Sequence, residues 1–312
     1  INRSVWNPHI GRSTSLGGIR MPLPVYEDKK SAHRDARLLA QAMTEKALGA
    51  NLNIGGGKTV IIGNPKTQKT QDFLLWLGER LHTLGGGYYG AEDVGTTVSD
   101  MDTIRRATPY VTGTSVEHGG SGDPSVITAA GVRTGIGVAV LFHPKTKGVE
   151  FNELSFAIQG LGNVGAFLAK NLYREGCVLF VADTDPEKVK VFENLPRVTI
   201  VSPDKIHTKH VDVFVPCARG GIINNKTVPQ FNCHVIAGPA NNQLESREAG
   251  ERLWSGRKIL YAPDSIINVG GLINVLFEVE KREPYDQDRA LLRTNVVVTE
   301  NLTTIFYRSG KE

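Results

Sequence analysis

Cysteine is scarce in this 312-residue chain, and Cys177, Cys217 and Cys233 form neither an even set nor a CxxC pair. That excludes a disulfide framework and a cysteine-built zinc site. Charge of one sign is lacking as well, since 36 Lys+Arg against 32 Asp+Glu leave +4, dispersed along the chain. So small an excess gives no basic surface for nucleic acid or an anionic membrane. Apolar runs such as Gly137–Phe142 and Val211–Val215 stop well short of the ~20 residues a membrane helix needs. The opening residues Ile1–Trp6 have no apolar leader core. No repeat of fixed period and no low-complexity segment occurs. What is abundant is glycine, with 34 residues, often clustered, in a chain 40% hydrophobic and 22% charged. That balance belongs to a folded chain, and one domain per roughly 150 residues suggests two. The expectation is a cytoplasmic, glycine-rich α/β protein of two domains, holding no metal.

Apolar spacing predicts helices over Arg37–Leu48, Asp72–Leu84, Val98–Ala107 and Asp123–Phe142, the last with small residues on one side that permit close packing. Thr59–Ile62 is a short β-branched strand in this region. Beyond His143 the pattern becomes strand–helix units, with short apolar runs at Leu154–Gln159, Val178–Asp183, Val198–Val201, Val211–Pro216, His234–Gly238 and Ile259–Ala262. Runs with little alternation are strands buried on both faces, as in a parallel sheet. Asn268–Lys281 reads as a further helix. The expected architecture is an α/β domain over 1–120, a Rossmann-type doubly wound domain over 121–290, a cleft between them, and a helical segment over 291–312 returning toward the first domain.

Gly160-Leu161-Gly162-Asn163-Val164-Gly165 is a GxGxxG, weak alone but placed between a predicted strand and a helix predicted over Val164–Arg174. Gly160 suits a tight turn, Gly162 a close approach of pyrophosphate, and Gly165 close packing of helix on strand. The helix N-terminus offers free N–H groups and the positive end of its dipole. Asp183 ends the next strand, 18 residues past Gly165. A carboxylate there accepts from ribose hydroxyls and repels a 2′-phosphate, and Thr184 supplies no arginine, so NAD is favoured over NADP.

Gly55-Gly56-Gly57-Lys58-Thr59 imitates a phosphate loop, but the first glycine of GxxxxGK[ST] would fall on Leu52. A lysine in a glycine run also suits a catalytic amine, since glycines let a substrate approach the backbone. Lys46 lies twelve residues earlier, at the end of a predicted apolar helix. Two ammonium groups close together, and burial, lower a lysine toward acid–base range. Asp93, after a Tyr-rich strand, is a candidate partner. The histidines, His118, His207, His210 and His234 among them, have no metal-ligand spacing.

Leu52–Pro65, Leu16–Met21, Ala91–Thr97, Pro124–Gly131, the GxGxxG segment, Val215–Ala218, Gly238–Gln243 and Tyr261–Val275 are spread along nearly the whole chain. Together, and in this order along the sequence, they resemble the glutamate/leucine/phenylalanine/valine dehydrogenase family. The resemblance implies oxidative deamination of an L-amino acid by NAD, with the substrate between two domains and a homo-oligomeric assembly. It implies Lys58 as the catalytic lysine, Asp93 as its proton relay, and Lys46 as the holder of the substrate α-carboxylate. Thr128 is implied at the nicotinamide carboxamide, and Asn241 and Asn242 beside nicotinamide ribose and substrate. Asn163, Val164, Cys217 and Ala218 fall with the cofactor segments. Leu16, Gly17, Ala91, Leu272 and Val275 are implied for the side-chain pocket.

Three departures stand out. Glu45 replaces the usual tyrosine, Ser13-Thr14 replaces Gly-Pro, and Leu272 stands where leucine-specific members carry valine and some phenylalanine-specific members leucine. Members of the family also have a first helix before, and a last helical segment after, the stretch that these 312 residues resemble. Those pieces serve the first domain and oligomer contacts, and both are expected in the protein. Leucine is the expected substrate. The rivals are a phenylalanine or valine dehydrogenase of the same family and a non-catalytic NAD-binding relative.

Overall fold

A computed structural model of the chain describes residues 2–3, 14–218, 220–280 and 285–309. The Ser13 substitution and most of the opening residues lie outside the described residues. The chain divides into two units, Ile1–Pro124 with Gly271–Ala290, and Ser125–Gly270 with Leu291–Glu312.

In unit 1, strands β1 (Asn2–Arg3), β2 (Ser15–Arg20), β3 (Gly55–Val60) and β4 (Tyr88–Glu92) form a sheet in the order β1-β3-β2-β4, parallel except for β1. Helix α1 (Lys29–Gly49) starts at a capping box between Asp28 and Ser31, eight residues before the apolar pattern predicts it. Helices α2 (Gln71–His82) and α3 (Val98–Arg105) follow the predicted spans closely. Alternation along β2–β4 sorts the sheet into two faces. Ile19 and Tyr88 face the apolar cluster of Leu74, Leu77, Leu81, Met101 and Ile104 from α2 and α3. Leu16, Gly18, Arg20, Gly56 and Lys58 face the other way. On that side a Cβ at Gly56 would come within 2.3 Å of the α1 backbone at Ala40 and Thr44. The glycine run is therefore strand, not loop, and Gly56 serves the packing of α1.

Unit 2 carries a six-stranded, wholly parallel sheet: β5 (Ser155–Gln159), β6 (Val178–Ala182), β7 (Val198–Ile200), β8 (Val213–Pro216), β9 (Val235–Ile236) and β10 (Leu260–Tyr261). Its order, β10-β9-β8-β5-β6-β7, is that of the Rossmann fold, with the switch point between β5 and β8. Each strand lies within a predicted apolar run. The helices are α4 (Ser125–Phe142), α5 (Asn163–Arg174), α6 (Pro186–Lys190), α7 (Arg247–Arg257) and α8 (Asp264–Ile267). Helix α4 is long and apolar enough to cross a membrane by length and composition, which the shorter runs in the sequence did not suggest, and most of it is buried.

Helix α9 (Gly270–Glu280) and helix α10 (Gln287–Ser309) exchange the expected assignments. Residues 271–290 join unit 1, while 291–312, expected to return to the first domain, join unit 2. The reasons are local. Glu278 of α9 accepts N–H bonds from Gly113 and Ser121 in unit 1 at 2.8 and 2.9 Å. Thr294, Val298 and Leu302 of α10 lie against Gly131 and Gly135 of α4, the small-residue side read from the sequence.

Candidate functional site

Lys58 sits mid-strand in β3 and is 6% exposed. Its Nζ is paired with Asp93 Oδ2. Asp93 follows β4, and reaches Lys58 across β2 because Gly18 leaves room: a Cβ there would lie 2.6 Å from Asp93 Cβ. Val94 N–H donates to Asp93 Oδ1 at 2.7 Å, and Thr96 Oγ1 accepts from Asp93 N–H at 2.9 Å, fixing the turn. Arg20, two residues beyond Gly18 on the same face, reaches Asp93 Oδ2 at 3.3 Å through Nε and Asp35 Oδ2 at 3.5 Å through Nη1. Tyr26 Oη donates to the same Asp35 oxygen.

Burial pushes the Lys58 amine below its ordinary value; Asp93 opposes this and the Arg20 guanidinium adds to it. For Asp93 burial alone would favour the neutral acid, but Lys58 and Arg20 outweigh it and hold the carboxyl below its usual range. The site thus combines an ionised carboxylate with an amine that gives up its proton more readily than a surface lysine. Glu92 next door is lifted to about 7 by burial, then by Asp123 and Asp93.

The other residues read for the substrate also fall in unit 1. Leu16 (β2), Ala91 (β4), Leu272 and Val275 (both α9) are buried. Gly17 lies in β2, and its carbonyl accepts from Tyr88 Oη at 2.6 Å. Val275 borders the turn at Gly113, where a Cβ would be 3.8 Å from Val275 Cγ1. Lys46 is half-buried in the last turn of α1. Glu45, the departure beside it, is exposed and accepts from Gln41 Nε2 at 2.9 Å, directed away along the helix.

The residues read for the cofactor fall in unit 2. Gly160 directly follows β5 with φ +100°, a conformation glycine alone adopts readily. A Cβ on Gly165 would meet Gly160 O at 2.1 Å, so the helix approaches the turn as expected. A Cβ on Gly162, the N-cap of α5, would meet nothing, leaving open the space a pyrophosphate needs, with Asn163 and Val164 opening the helix. Cys217 and Ala218 follow β8 and touch Gly160 across the switch point. A cavity of about 620 Å³ adjoins this turn, lined among others by Gly160, Asp183, Thr184, Ala218 and Ile222. Asp183 Oδ2 accepts Leu161 N–H at 2.6 Å and Oδ1 accepts Asp185 N–H at 2.9 Å. This carboxylate therefore braces the glycine turn as well as facing the cavity. Thr128 lies in the first turns of α4, packed under Gly270. Asn242 adopts φ +54° and its N–H donates to Asp264 Oδ2 at 2.6 Å, while Asn241 Oδ1 accepts from the buried Asn268 Nδ2 at 2.8 Å. The turn, the open helix end and the cavity fit a dinucleotide.

Sequence reasoning did not single out Arg20, Asp35, Glu278, Asn268 or Lys188, whose Nζ is 4.0 Å from Asp183 Oδ1. Arg20 and Glu278 carried no local signal, since their partners Asp93 and Gly113 lie far along the chain.

The family model described as Glu/Leu/Phe/Val dehydrogenase, dimerisation domain, matches residues 3–110, and the model described as Glutamate/Leucine/Phenylalanine/Valine dehydrogenase matches 179–291. Leucine dehydrogenase of Bacillus subtilis is 41% identical over 95% of this chain and 80% of its own length. Phenylalanine dehydrogenase of Caldalkalibacillus thermarum is 40% identical over 90% of this chain and 76% of its own. The crystal structure of L-tryptophan dehydrogenase from Nostoc punctiforme superposes with a TM-score of 0.76 at 37% identity, covering 94% of this chain and 82% of that one.

Proposed function

The chain belongs to the glutamate/leucine/phenylalanine/valine dehydrogenase family, and from that premise we propose that it oxidatively deaminates an apolar L-amino acid, leucine first, with NAD. The buried Lys58–Asp93 pair carries this reading. When bound, NAD takes up the hydride leaving the substrate Cα. Gly160, Gly162, Asn163, Val164 and Gly165 would hold its pyrophosphate and Asp183 its adenosine ribose. Thr128, Cys217, Ala218 and Asn241 would lie along the remainder, with Asn242 beside the substrate.

The chain's own residues do the rest. The Lys46 ammonium pairs with the substrate α-carboxylate and fixes its orientation. A neutral Lys58 amine takes a proton from the water that attacks the imine carbon. Asp93, ionised in the resting site, accepts and returns protons until ammonia leaves. Burial of Lys58 supports the neutral amine this requires. Leu16, Gly17, Ala91, Leu272 and Val275 would surround the side chain. An aliphatic lining offers a carboxylate no partner, so glutamate is rejected on desolvation. Unpaired thiols at Cys177, Cys217 and Cys233 support a cytoplasmic setting, and the name of the model matching 3–110 supports a homo-oligomer.

The test is NADH consumption with ammonia and a panel of 2-oxo acids. Turnover fastest with 4-methyl-2-oxopentanoate is expected. No turnover with any member would leave a non-catalytic NAD-binding relative as the reading.

A further inference from the structure

Arg20 belongs to neither role assigned above, yet its guanidinium is in contact with the candidate dyad. It projects from β2 on the face that carries Lys58 and touches two carboxylates, Asp93 through Nε at 3.3 Å and Nη2 at 3.5 Å, and Asp35 through Nη1 at 3.5 Å. Its side chain is 24% exposed, that of Asp93 16% and that of Lys58 7%, so the three charges share a poorly solvated site. Two cations face one buried anion there. The second anion, Asp35 on α1, stands behind Arg20 and also accepts from Tyr26.

We propose that Arg20 is a positioning residue for the reaction: it pins the Asp93 carboxylate in the rotamer that meets Lys58 and, as a like charge beside that amine, opposes its protonated form. The proposal rests on the reading of Lys58 as the base. The physical argument is a balance of neighbours. Asp93 alone would stabilise the Lys58 ammonium and make it a poor base, since an opposite charge in contact favours the charged form. A guanidinium cannot itself lose its proton near neutral pH. Anchored by Asp35 and Asp93, it neutralises part of the attraction that Asp93 exerts on Lys58, while keeping Asp93 in place. Other ionisable groups among the described residues that act on these charges are Tyr26, whose hydroxyl donates to Asp35, Tyr88 on β4, whose phenol burial pushes up, and Glu92 on β4, lifted to about 7 chiefly by burial.

The test is the pH profile of kcat/KM for amino acid deamination at saturating NAD, in the parent enzyme, Arg20→Gln, Arg20→Lys and Asp35→Asn. Deamination needs neutral Lys58, so its titration forms the acid limb. With the guanidinium gone, that limb should move alkaline by roughly one pH unit, with most of the rate recovered at high pH. Arg20→Lys should restore most of the parent profile. Asp35→Asn removes an anion that favours the ammonium, so its limb should move the opposite way, which keeps the proposal testable if Arg20→Gln does not fold. A rate loss equal at every pH, or limbs unmoved in both Arg20→Gln and Asp35→Asn, would overturn it. An acid limb of the parent that vanishes in Glu92→Gln would also overturn it, because Glu92 and not Lys58 would then set the limb. Failure of the base assignment reads differently: Lys58→Ala would retain turnover.

Discussion

A lysine that must be neutral to act gains from every contact that takes water away from it, and loses if its carboxylate partner is left as its only neighbour. Lys58 has both influences, burial on β3 and the pair with Asp93; burial is the larger, and the Arg20 guanidinium adds to it. Lys58→Ala should therefore lose ~10²–10⁴ in kcat, the usual worth of one acid–base group. NADH affinity, read by fluorescence titration, should stay near the parent value. Near-parent deamination would remove Lys58 from the mechanism. Gly18 offers a subtler probe of the same geometry. An added methyl collides with Asp93 at 2.6 Å, so Gly18→Ala should displace the carboxylate from Lys58 and lower kcat with little change in NAD KM. An unaltered kcat would mean that the Asp93 rotamer is dispensable.

Helix α9 links the proposed specificity residues to a loop that nothing in the sequence tied to them. Its Leu272 and Val275 are three apart and share a side, and one turn further Glu278 binds Gly113 N–H, Ser121 N–H and Ser121 Oγ, the last at 2.5 Å. Leu272→Ala should enlarge the pocket and shift the leucine-to-phenylalanine ratio of kcat/KM toward phenylalanine, and an unchanged ratio would return Leu272 to the core. The change should be modest, since one methylene in such a pocket is worth only ~1–3 kcal/mol. Just after β6, Asp183→Ser with Thr184→Arg should weaken NAD and improve NADP in steady-state kinetics. Loss of the Leu161 N–H acceptor will add a penalty to both cofactors, so the ratio is the informative quantity. A parent enzyme that already accepts NADP as well as NAD would contradict the reading of Asp183. Most elements were legible in the sequence, because strand and helix periods and the glycine turn are local signals. Lys58 and Asp93 were named from motifs. Arg20 and Glu278 were not, because their partners Asp93 and Gly113 are 73 and 165 residues away and no local pattern encodes such pairings. The start of α1 was missed for a local reason, a capping box at Asp28 preceding an exposed, charged first turn. The owner of the last two helices was missed because amphipathic spacing states that a face is buried, not against which sheet.

At the scale of the whole chain, two discontinuous units divide the candidate chemistry. The backbone passes from one to the other after Pro124, Gly270 and Ala290, so neither unit is a single stretch of sequence. Lys58, Asp93 and their neighbours Arg20 and Asp35 all belong to unit 1, whereas Asp183 and its partners Leu161, Asp185 and Lys188 all belong to unit 2. Substitutions with no shared partner usually combine additively within about 0.3–0.5 kcal/mol, a factor of roughly two in a rate ratio. Groups that act as one catalytic unit do not. Lys58→Ala combined with Asp183→Ser should accordingly lose kcat/KM by nearly the product of the separate losses, with the kcat decrease belonging to the first and the NAD KM increase to the second. The same division predicts that NADH stabilises Lys58→Ala as much as the parent against thermal unfolding, about 2.7 kcal/mol at a hundred times Kd for a ligand that binds only the native state. Both readouts are needed, because the thermal one reports the unit 2 site without turnover. A double variant no slower than Lys58→Ala alone, or a Lys58→Ala enzyme that NADH fails to stabilise, would show that Lys58 and the dinucleotide turn act as one coupled site.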